Sequence, residues 1–241
     1  MDKYYKRREI VNGYSILKII GEGRYGIAYL AINDKEQKCV IKQLKKNMLK
    51  ETRKKLFYEE QILQSLDNPS FPKFLGKFRD KYREGYLLEY IEGKVFEDLV
   101  VRDNCKFTRD DIYKIASQLL NLTEILHNKN IVHRDIRLPN VIVKKNMDLA
   151  LIDFGLARYI DNDRYVPETD FWYIGDFLIH LYYTMYNSTN DKDKPWYDEL
   201  DLNTEEKIFL KKLMGIEKPY REIYEIQEQL QIIKDIKEKT M

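Results

Sequence analysis

Cysteine is scarce in this chain. Its 241 residues contain two, Cys39 and Cys105, far apart and in no CxxC pair. That argues against a disulfide framework and against a cysteine-ligated zinc site. An excess of either charge is also missing: 42 Lys and Arg face 40 Asp and Glu, for a formal net charge of +2. A dedicated nucleic-acid binder would show a clear basic surplus, so no nucleic-acid partner is expected. No apolar run reaches the roughly 18 residues that a bilayer crossing needs. The nearest, Phe171 to Tyr186, carries Asp176 and His180 and reads as a buried core helix, so no membrane span is expected. The charged start, Met1–Glu9, lacks the apolar run of a secretory signal, which leaves a soluble, cytoplasmic protein as the expectation. There is no internal repeat and no low-complexity linker. His127 and His180 have no partner at metal-ligand spacing and read as structural.

Apolar material is sufficient. Hydrophobic residues make up 44% and charged residues 34%, which allows a buried core and excludes wholesale disorder. The length admits one large domain or two small lobes. The pattern changes near Gly93. Before it, Tyr14–Ile20, Ile27–Ile32, Lys38–Gln43, Lys73–Phe78 and Gly85–Ile91 read as strands, the last two joined by a charged hairpin, Arg79–Glu84. A helix is predicted over Lys50–Leu66, with Leu56, Ile62, Leu63 and Leu66 as its apolar stripe and Asn68-Pro69 as its end. The basic run Lys42–Lys55 reads as a solvated approach to that helix. After Gly93 helices dominate. Thr108 with Asp111 three residues on resembles an N-terminal cap, followed by Ile112, Ile115, Ala116, Leu119, Leu122, Ile125 and Leu126 at helical spacing. Ile131–Val132, Val141–Val143 and Leu149–Ile152 are short strand-like runs. Helices are predicted over Asp170–Tyr186, over Thr204–Met214 and from Ile223 onward. Tyrosine is abundant, with 19 residues, and clusters such as Tyr182-Tyr183 read as packing.

Five constellations carry chemistry. Gly21-Glu22-Gly23-Arg24-Tyr25-Gly26 lies between two strands, so it is a flap whose backbone N–H groups can close over phosphate oxygens rather than a dinucleotide turn. By itself it could equally be a glycine-rich hairpin. Lys42 ends the apolar run Cys39-Val40-Ile41, and Glu59 stands four residues before Leu63. Alone, either would be an ordinary surface charge; in this order, a lysine held by a helix glutamate can pair with nucleotide phosphates. His133-Arg134-Asp135-Ile136-Arg137-Leu138-Pro139-Asn140 comes next. Asp153-Phe154-Gly155 follows 13 residues after Asn140. Phosphoryl transfer to an alcohol needs an acceptor for the hydroxyl proton, metal ligands, and positive charge near the migrating group. Asp135, Asn140 with Asp153, and Lys42 with Arg137 can supply these in turn.

With these motifs in this order, the chain resembles the eukaryotic-like protein-kinase family, in the manner of a compact bacterial-type serine/threonine kinase, over roughly Tyr14 to Ile226. The resemblance implies an α+β, bilobal fold forming one domain over 1–241. Residues 1–91 would be a small antiparallel β lobe with one helix and a hinge at its end, and 92–241 a larger helical lobe. It implies ATP and Mg²⁺ bound between the lobes. Asp135 would be the catalytic base, with Arg137 and Lys42 as catalytic cations and Asn140 and Asp153 as metal ligands. The nucleotide would meet Ile20, Gly21, Gly23, Tyr25, Gly26, Ala28, Val40, Lys42, Glu59, Leu88, Glu89, Ile91 and Ile142. Leu88 would be the gatekeeper, the backbone of Glu89 and Ile91 would hold adenine, and Ile142 would lie beneath it. Ala28 and Val40 stand where the family has Val and Ala, an exchange that keeps volume nearly constant.

The chain also departs from the family. Asp170-Phe171-Trp172-Tyr173-Ile174-Gly175 resembles the DxWxxG start of the helix anchoring the large lobe, yet Asp170 comes only 17 residues after Asp153, and no Ala-Pro-Glu run precedes it. The missing stretch is the one on which a peptide acceptor normally lies. In the family, an Arg at position 134 often pairs with a phosphate on the activation segment, which here offers Tyr159, Tyr165 and Thr169. Bracing of local carbonyls is an equal alternative. The expected function is transfer of the ATP γ-phosphate to a hydroxyl, foremost Ser or Thr of a protein. A small-molecule kinase acting on a sugar or amino alcohol, and an ATP-binding pseudokinase serving as a regulatory module, are the alternatives.

Overall fold

The computed structural model describes residues 2–186 and 194–240, apart from the side chains at 50, 52, 54, 55 and 237–240. The basic run Lys42–Lys55 lies partly outside these described residues. The chain divides into two compact units, Met1–Glu92 and Gly93–Met241.

The first unit is a six-stranded antiparallel sheet with one helix. Its strands are β1 (Ile10–Val11), β2 (Tyr14–Glu22), β3 (Gly26–Ile32), β4 (Lys38–Leu44), β5 (Phe74–Arg79) and β6 (Glu84–Glu89), in the order β1-β2-β3-β4-β6-β5, and α1 (Leu49–Ser65) lies between β4 and β5 in the chain. Alternation sets the faces. Ile27, Tyr29 and Ala31 of β3 and Cys39 and Ile41 of β4 are buried at every second position. They form one core with Ile16, Phe78 and Leu87, together with Tyr5 and Val11 from the chain ahead of β2. Burial pushes the Cys39 thiol up to about 12, which makes it a small inert core residue.

The segment before β1 is pinned onto this core. The Tyr5 ring meets Tyr29 at 5.6 Å and Phe78 at 5.9 Å edge to face, and the Arg83 guanidinium lies 3.5 Å over it. Buried Gln43 is satisfied at both ends of its amide: the Tyr29 hydroxyl donates to its Oε1 at 3.0 Å, and its Nε2 donates to the Lys3 carbonyl at 3.1 Å. In the β5–β6 hairpin, burial works to raise the Asp80 carboxyl. The backbone N–H groups of Tyr82 and Arg83 and the Arg83 side chain outweigh it and hold the group at about 2.

The second unit is mainly helical. It contains α2 (Arg109–His127), α3 (Glu168–Tyr183), α4 (Trp196–Glu199), α5 (Thr204–Leu213) and α6 (Ile223–Thr240). Five short strands form two small sheets: β7 (Lys94–Val95) and β10 (Leu149–Leu151) flank β9 (Val141–Val143), and β11 (Arg158–Tyr159) pairs with β8 (Ile131–Val132). The expected cap at Thr108 is a full capping box, since Asp111 N donates to its hydroxyl and Thr108 N donates to the Asp111 carboxylate. Behind it Ile112, Ile115, Ala116, Leu119, Leu122 and Leu126 bury one face of α2 against α3 and α6. A second box, Asn203 with Glu206, starts α5. Glu206 is 1% exposed and also accepts from Arg109 Nε (3.0 Å) and from the hydroxyls of Tyr113 (2.6 Å) and Tyr182 (3.0 Å). Of the tyrosine pair read as packing, Tyr182 thus belongs to a buried polar network.

One unit is a sheet with a single helix and the other is mostly helix, the α+β composition expected from the sequence. The helices α1, α3, α5 and α6 begin or end within three residues of their predicted limits, and α5 and α6 begin at the predicted residue. Strands β1, β7 and β11, the short helix α4 and a π-helical turn at Asp98–Arg102 go unread in the sequence: at two to five residues they show no period, and unlike β8, β9 and β10 they are not picked out as apolar runs. Among the described residues, no helix is long and apolar enough to cross a membrane.

Candidate active site

In the first unit, the sheet face turned away from Tyr29 gathers several of the expected residues. Directly opposed residues of an antiparallel pair share a face. One row runs Gly21, Ala28, Lys42, Tyr86, and the next runs Leu30, Val40, Leu88. Helix α1 brings Glu59 to the first row. Glu59 sits on the same stripe as Ile62, Leu63 and Leu66, so the helical period buries a carboxylate, which is 1% exposed. A buried carboxylate needs partners. Lys42 Nζ lies 3.1 Å from its Oε1, and the Tyr86 hydroxyl donates to its Oε2 at 2.6 Å.

The three flap glycines divide into two kinds. A Cβ on Gly26 would lie 2.6 Å from the Gln43 carbonyl oxygen, so packing against β4 itself excludes a side chain. A Cβ on Gly23 would meet nothing within 4 Å, and one on Gly21 only the Ala28 Cβ at 4.0 Å. The fold does not require glycine at those two positions, and the bare backbone there leaves room for a ligand. The flap tip is closed by Gly23 N donating to Gly26 O, and the Tyr25 carbonyl accepts from Lys45 N. Ile20 falls at a register shift of β2 and is 45% exposed, outside the Gly21 row. Leu88 and Ile91 are buried, and the Glu89 N–H donates to the Lys73 carbonyl.

In the second unit, the segment after β8 carries the acid–base candidates. Both oxygens of Asp135 are engaged. Arg137 Nε donates to Oδ1 at 2.6 Å, and Asn140 Nδ2 donates to Oδ2 at 2.7 Å. The Arg137 guanidinium is held up by its hydrogen bond to Asp135, with a further contribution from the charge of Asp153. The Asn140 carbonyl accepts from Ile152 N at 2.9 Å, extending the β9–β10 pairing and setting Asp153 beside Asn140. Ile142, on β9, is buried two residues beyond. Asp153 is exposed and has φ +64°, a left-handed conformation that costs a non-glycine residue about 1 kcal/mol or more.

Arg134 has φ +66° as well. A fully buried carboxylate from α3 holds this strained turn. Asp170 Oδ1 accepts from Arg134 N at 2.7 Å, and Oδ2 from His133 N at 2.9 Å, with His127 Nε2 3.0 Å away. His127 is therefore structural, as its lack of metal spacing implies. His133 packs edge to face on Phe154 at 4.7 Å. Burial lowers its basicity, against the opposing pull of Asp170, Asp135 and Asp153 and of the Ile152 backbone.

A small hard cation fits the donor set. The amide nitrogen of Asn140 is committed to Asp135, so its Oδ1 is the atom that would face a metal, beside the Asp153 carboxylate. Among the described residues, no group of three His, Cys, Asp or Glu side chains makes an all-protein cage. Mg²⁺ commonly takes one or two protein oxygen ligands and completes its shell with water and substrate phosphates.

Three contacts of these arrangements are not legible from local sequence. That of Tyr86 requires pairing β6 with β4, which sets it opposite Lys42. Asp170 is legible as a motif residue, but its pairing with His127 spans 43 positions without a local signal. Tyr165 is legible as an activation-segment hydroxyl, while its ring lies against Arg134.

An antiparallel sheet with a helix-borne glutamate on its lysine, next in the chain to a helical unit presenting an Asp–Asn–Asp set, defines a class of phosphoryl-transfer enzymes. A model of the family described as "Protein kinase domain" matches residues 14–192. The chain is 33% identical over 238 residues to the "Probable serine/threonine-protein kinase YbdM" of Bacillus subtilis (strain 168), covering 95% of this chain and 93% of that protein. It is 33% identical over 150 residues to "3-phosphoinositide-dependent protein kinase B" of Dictyostelium discoideum, 61% of this chain and 16% of that one. It is also 32% identical over 163 residues to human "Serine/threonine-protein kinase Nek5", 65% of this chain and 23% of that one. The chain belongs to the protein kinase domain family.

Proposed function

We propose that this protein kinase transfers the γ-phosphate of Mg-ATP to Ser or Thr hydroxyls of a protein. The observation that carries the reading is the engaged Asp135 carboxylate, held by Asn140 and Arg137 next to the residue pair 152–153. Asp135 accepts the proton of the acceptor hydroxyl as that oxygen attacks in line, and Arg137 supplies fixed positive charge near the migrating group. Lys42, oriented by Glu59, pairs with the α- and β-phosphates. Gly21, Gly23 and Gly26, with Tyr25 at the tip, cover the phosphates. Ile20, Ala28, Val40, Leu88 and Ile142 line the base, which the backbone of Glu89 and Ile91 binds. Asn140 and Asp153 hold Mg²⁺, which when bound neutralises phosphate charge.

The acceptor class rests on the B. subtilis relative, whose name and full-length match support Ser/Thr of a protein. The short stretch from Asp153 to Asp170 favours the second reading, a small-molecule acceptor. Incubation with γ-labelled ATP and magnesium, with and without protein acceptors, followed by phosphoamino-acid analysis, tests the proposal. Label on Ser or Thr is the expected result. Label only on added sugars or amino alcohols would replace the acceptor class, and nucleotide binding without transfer to any acceptor would make the protein a binding module.

A further inference from the structure

The segment after Asp153 is tied down along its length although its regular structure is limited to a 3-10 turn at Phe154–Leu156 and the two residues of β11. Strand β11 pairs with β8, and Ile160 N donates to the Asn130 carbonyl at 2.7 Å. Asp161 then closes a tight loop. Its Oδ1 accepts from the N–H groups of Asp163, Arg164 and Tyr165, and its own N–H donates to the Tyr165 carbonyl at 3.1 Å. Tyr165 is thus pinned at both its backbone N–H and its carbonyl.

The Tyr165 ring lies against Arg134, with the guanidinium carbon 4.7 Å from the ring centroid. Arg134 Nη1 also donates to the Leu156 carbonyl at 3.1 Å. One side chain therefore ties the two ends of the 156–165 stretch to the loop that carries Asp135. Among the described residues, the Arg134 guanidinium has no acidic partner. A half-buried cation without a carboxylate or phosphate is held well by the negative face of an aromatic ring. Its backbone is strained at φ +66°, so what anchors its side chain also holds that strain in place.

We infer that Tyr165 is a positioning residue: its ring, and not a phosphate group, holds Arg134 and through it the loop bearing Asp135. The inference rests on the phosphoryl-transfer reading for its activity readout, but not for its structural one. It makes the ordered segment a property of the unmodified chain, so that no phosphate on Tyr159, Tyr165 or Thr169 is needed to switch the enzyme on.

The test uses full-length protein treated with a broad-specificity phosphatase and shown by intact mass to carry no phosphate. Its kcat in the initial rate, without a lag, should equal that of untreated protein. Tyr165→Phe keeps the ring and should match wild type. Tyr165→Leu should lower kcat about tenfold, roughly 1.4 kcal/mol, while the KM for ATP stays unchanged. In parallel, amide hydrogen exchange over residues 156–165 should accelerate in Tyr165→Leu and stay slow in Tyr165→Phe and in the phosphatase-treated protein. A tenfold loss or a lag after phosphatase treatment would overturn the inference, as would equal behaviour of the Phe and Leu variants. If wild-type protein transfers phosphate to nothing, the kinase reading fails, and the exchange comparison alone decides the clamp.

Discussion

Substituting Glu59 by Gln removes one charge and almost no volume, and the local geometry sets its cost. The carboxylate accepts from Lys42 at 3.1 Å on one oxygen and from Tyr86 at 2.6 Å on the other. An amide offers one acceptor oxygen and no charge: with that oxygen on Lys42 its NH₂ must donate to the Tyr86 oxygen, and the ion pair is lost either way. The direct attraction across 3.1 Å at an effective dielectric of 20 is about 5 kcal/mol, from which the desolvation of both ions must be subtracted. Removing one partner of a buried pair costs about 3–5 kcal/mol. Lys42 keeps 20% of its side chain exposed, so water can partly replace the lost counter-ion and the cost falls to about 2–3 kcal/mol. Denaturant unfolding should show that loss directly. Steady-state kinetics should show kcat/KM for ATP falling about 30- to 150-fold, because a lysine without its glutamate is no longer aimed at the phosphates. Tyr86→Phe, which leaves the ion pair in place, should lose only about 1–3 kcal/mol of stability. Glu59→Gln with wild-type stability and wild-type turnover would refute the buried-pair reasoning. A stability loss with turnover intact would show the pair to be structural alone.

Other consequences can be checked independently. Asp135→Ala should reduce phosphoryl transfer by about 10²–10⁴-fold in a labelled-ATP assay while calorimetric affinity for Mg-ATP stays nearly unchanged; retained turnover would remove Asp135 from the chemistry. Gly26→Ala should destabilise the protein by about 1–3 kcal/mol in a thermal melt, because its Cβ would meet the Gln43 carbonyl at 2.6 Å, whereas Gly23→Ala should leave stability unchanged and weaken nucleotide binding. Asp80 is held at about 2, below its unfolded value, so its stabilising contribution is present above pH 4 or so and is lost as pH falls towards 2. Solvent screening of this partly exposed carboxylate limits that contribution to about 1 kcal/mol or less. Asp80→Asn should therefore lower stability at pH 6 and close the gap at pH 2, measured by circular dichroism.

Much of the fold was legible because local rules suffice for long elements. Strands β3 and β4 stand out as apolar runs bounded by turn residues, and α2 is announced by its Thr108–Asp111 box and a seven-member apolar stripe. The candidate site was legible for a different reason. Asp135, Asn140 and Asp153 lie within a short stretch of chain whose strands, β9 and β10, form a tight hairpin, so sequence spacing nearly fixes spatial proximity. Residues whose partners lie far along the chain were not legible. Tyr5 joins Asp80 across 75 positions, and Glu206 joins Tyr113 across 93. No local period encodes such a contact. It forms because burial forces each polar atom to find a partner wherever the packed chain supplies one.

By itself, then, the order of residues determined the family and named the candidate site residues, since spacing and residue type carry the motifs by which the protein kinase domain is matched. Only the folded chain decided their condition. It showed the Lys42–Glu59 pair already formed and completed by Tyr86, and Gly26 made obligatory by β4 while Gly23 stays open. It also showed Arg134 resting on an aromatic ring. The physical reason is the same in each case. Hydrogen bonds, ion pairs and ring contacts act over a few ångströms, and which groups come that close depends on the packing of segments the sequence keeps apart.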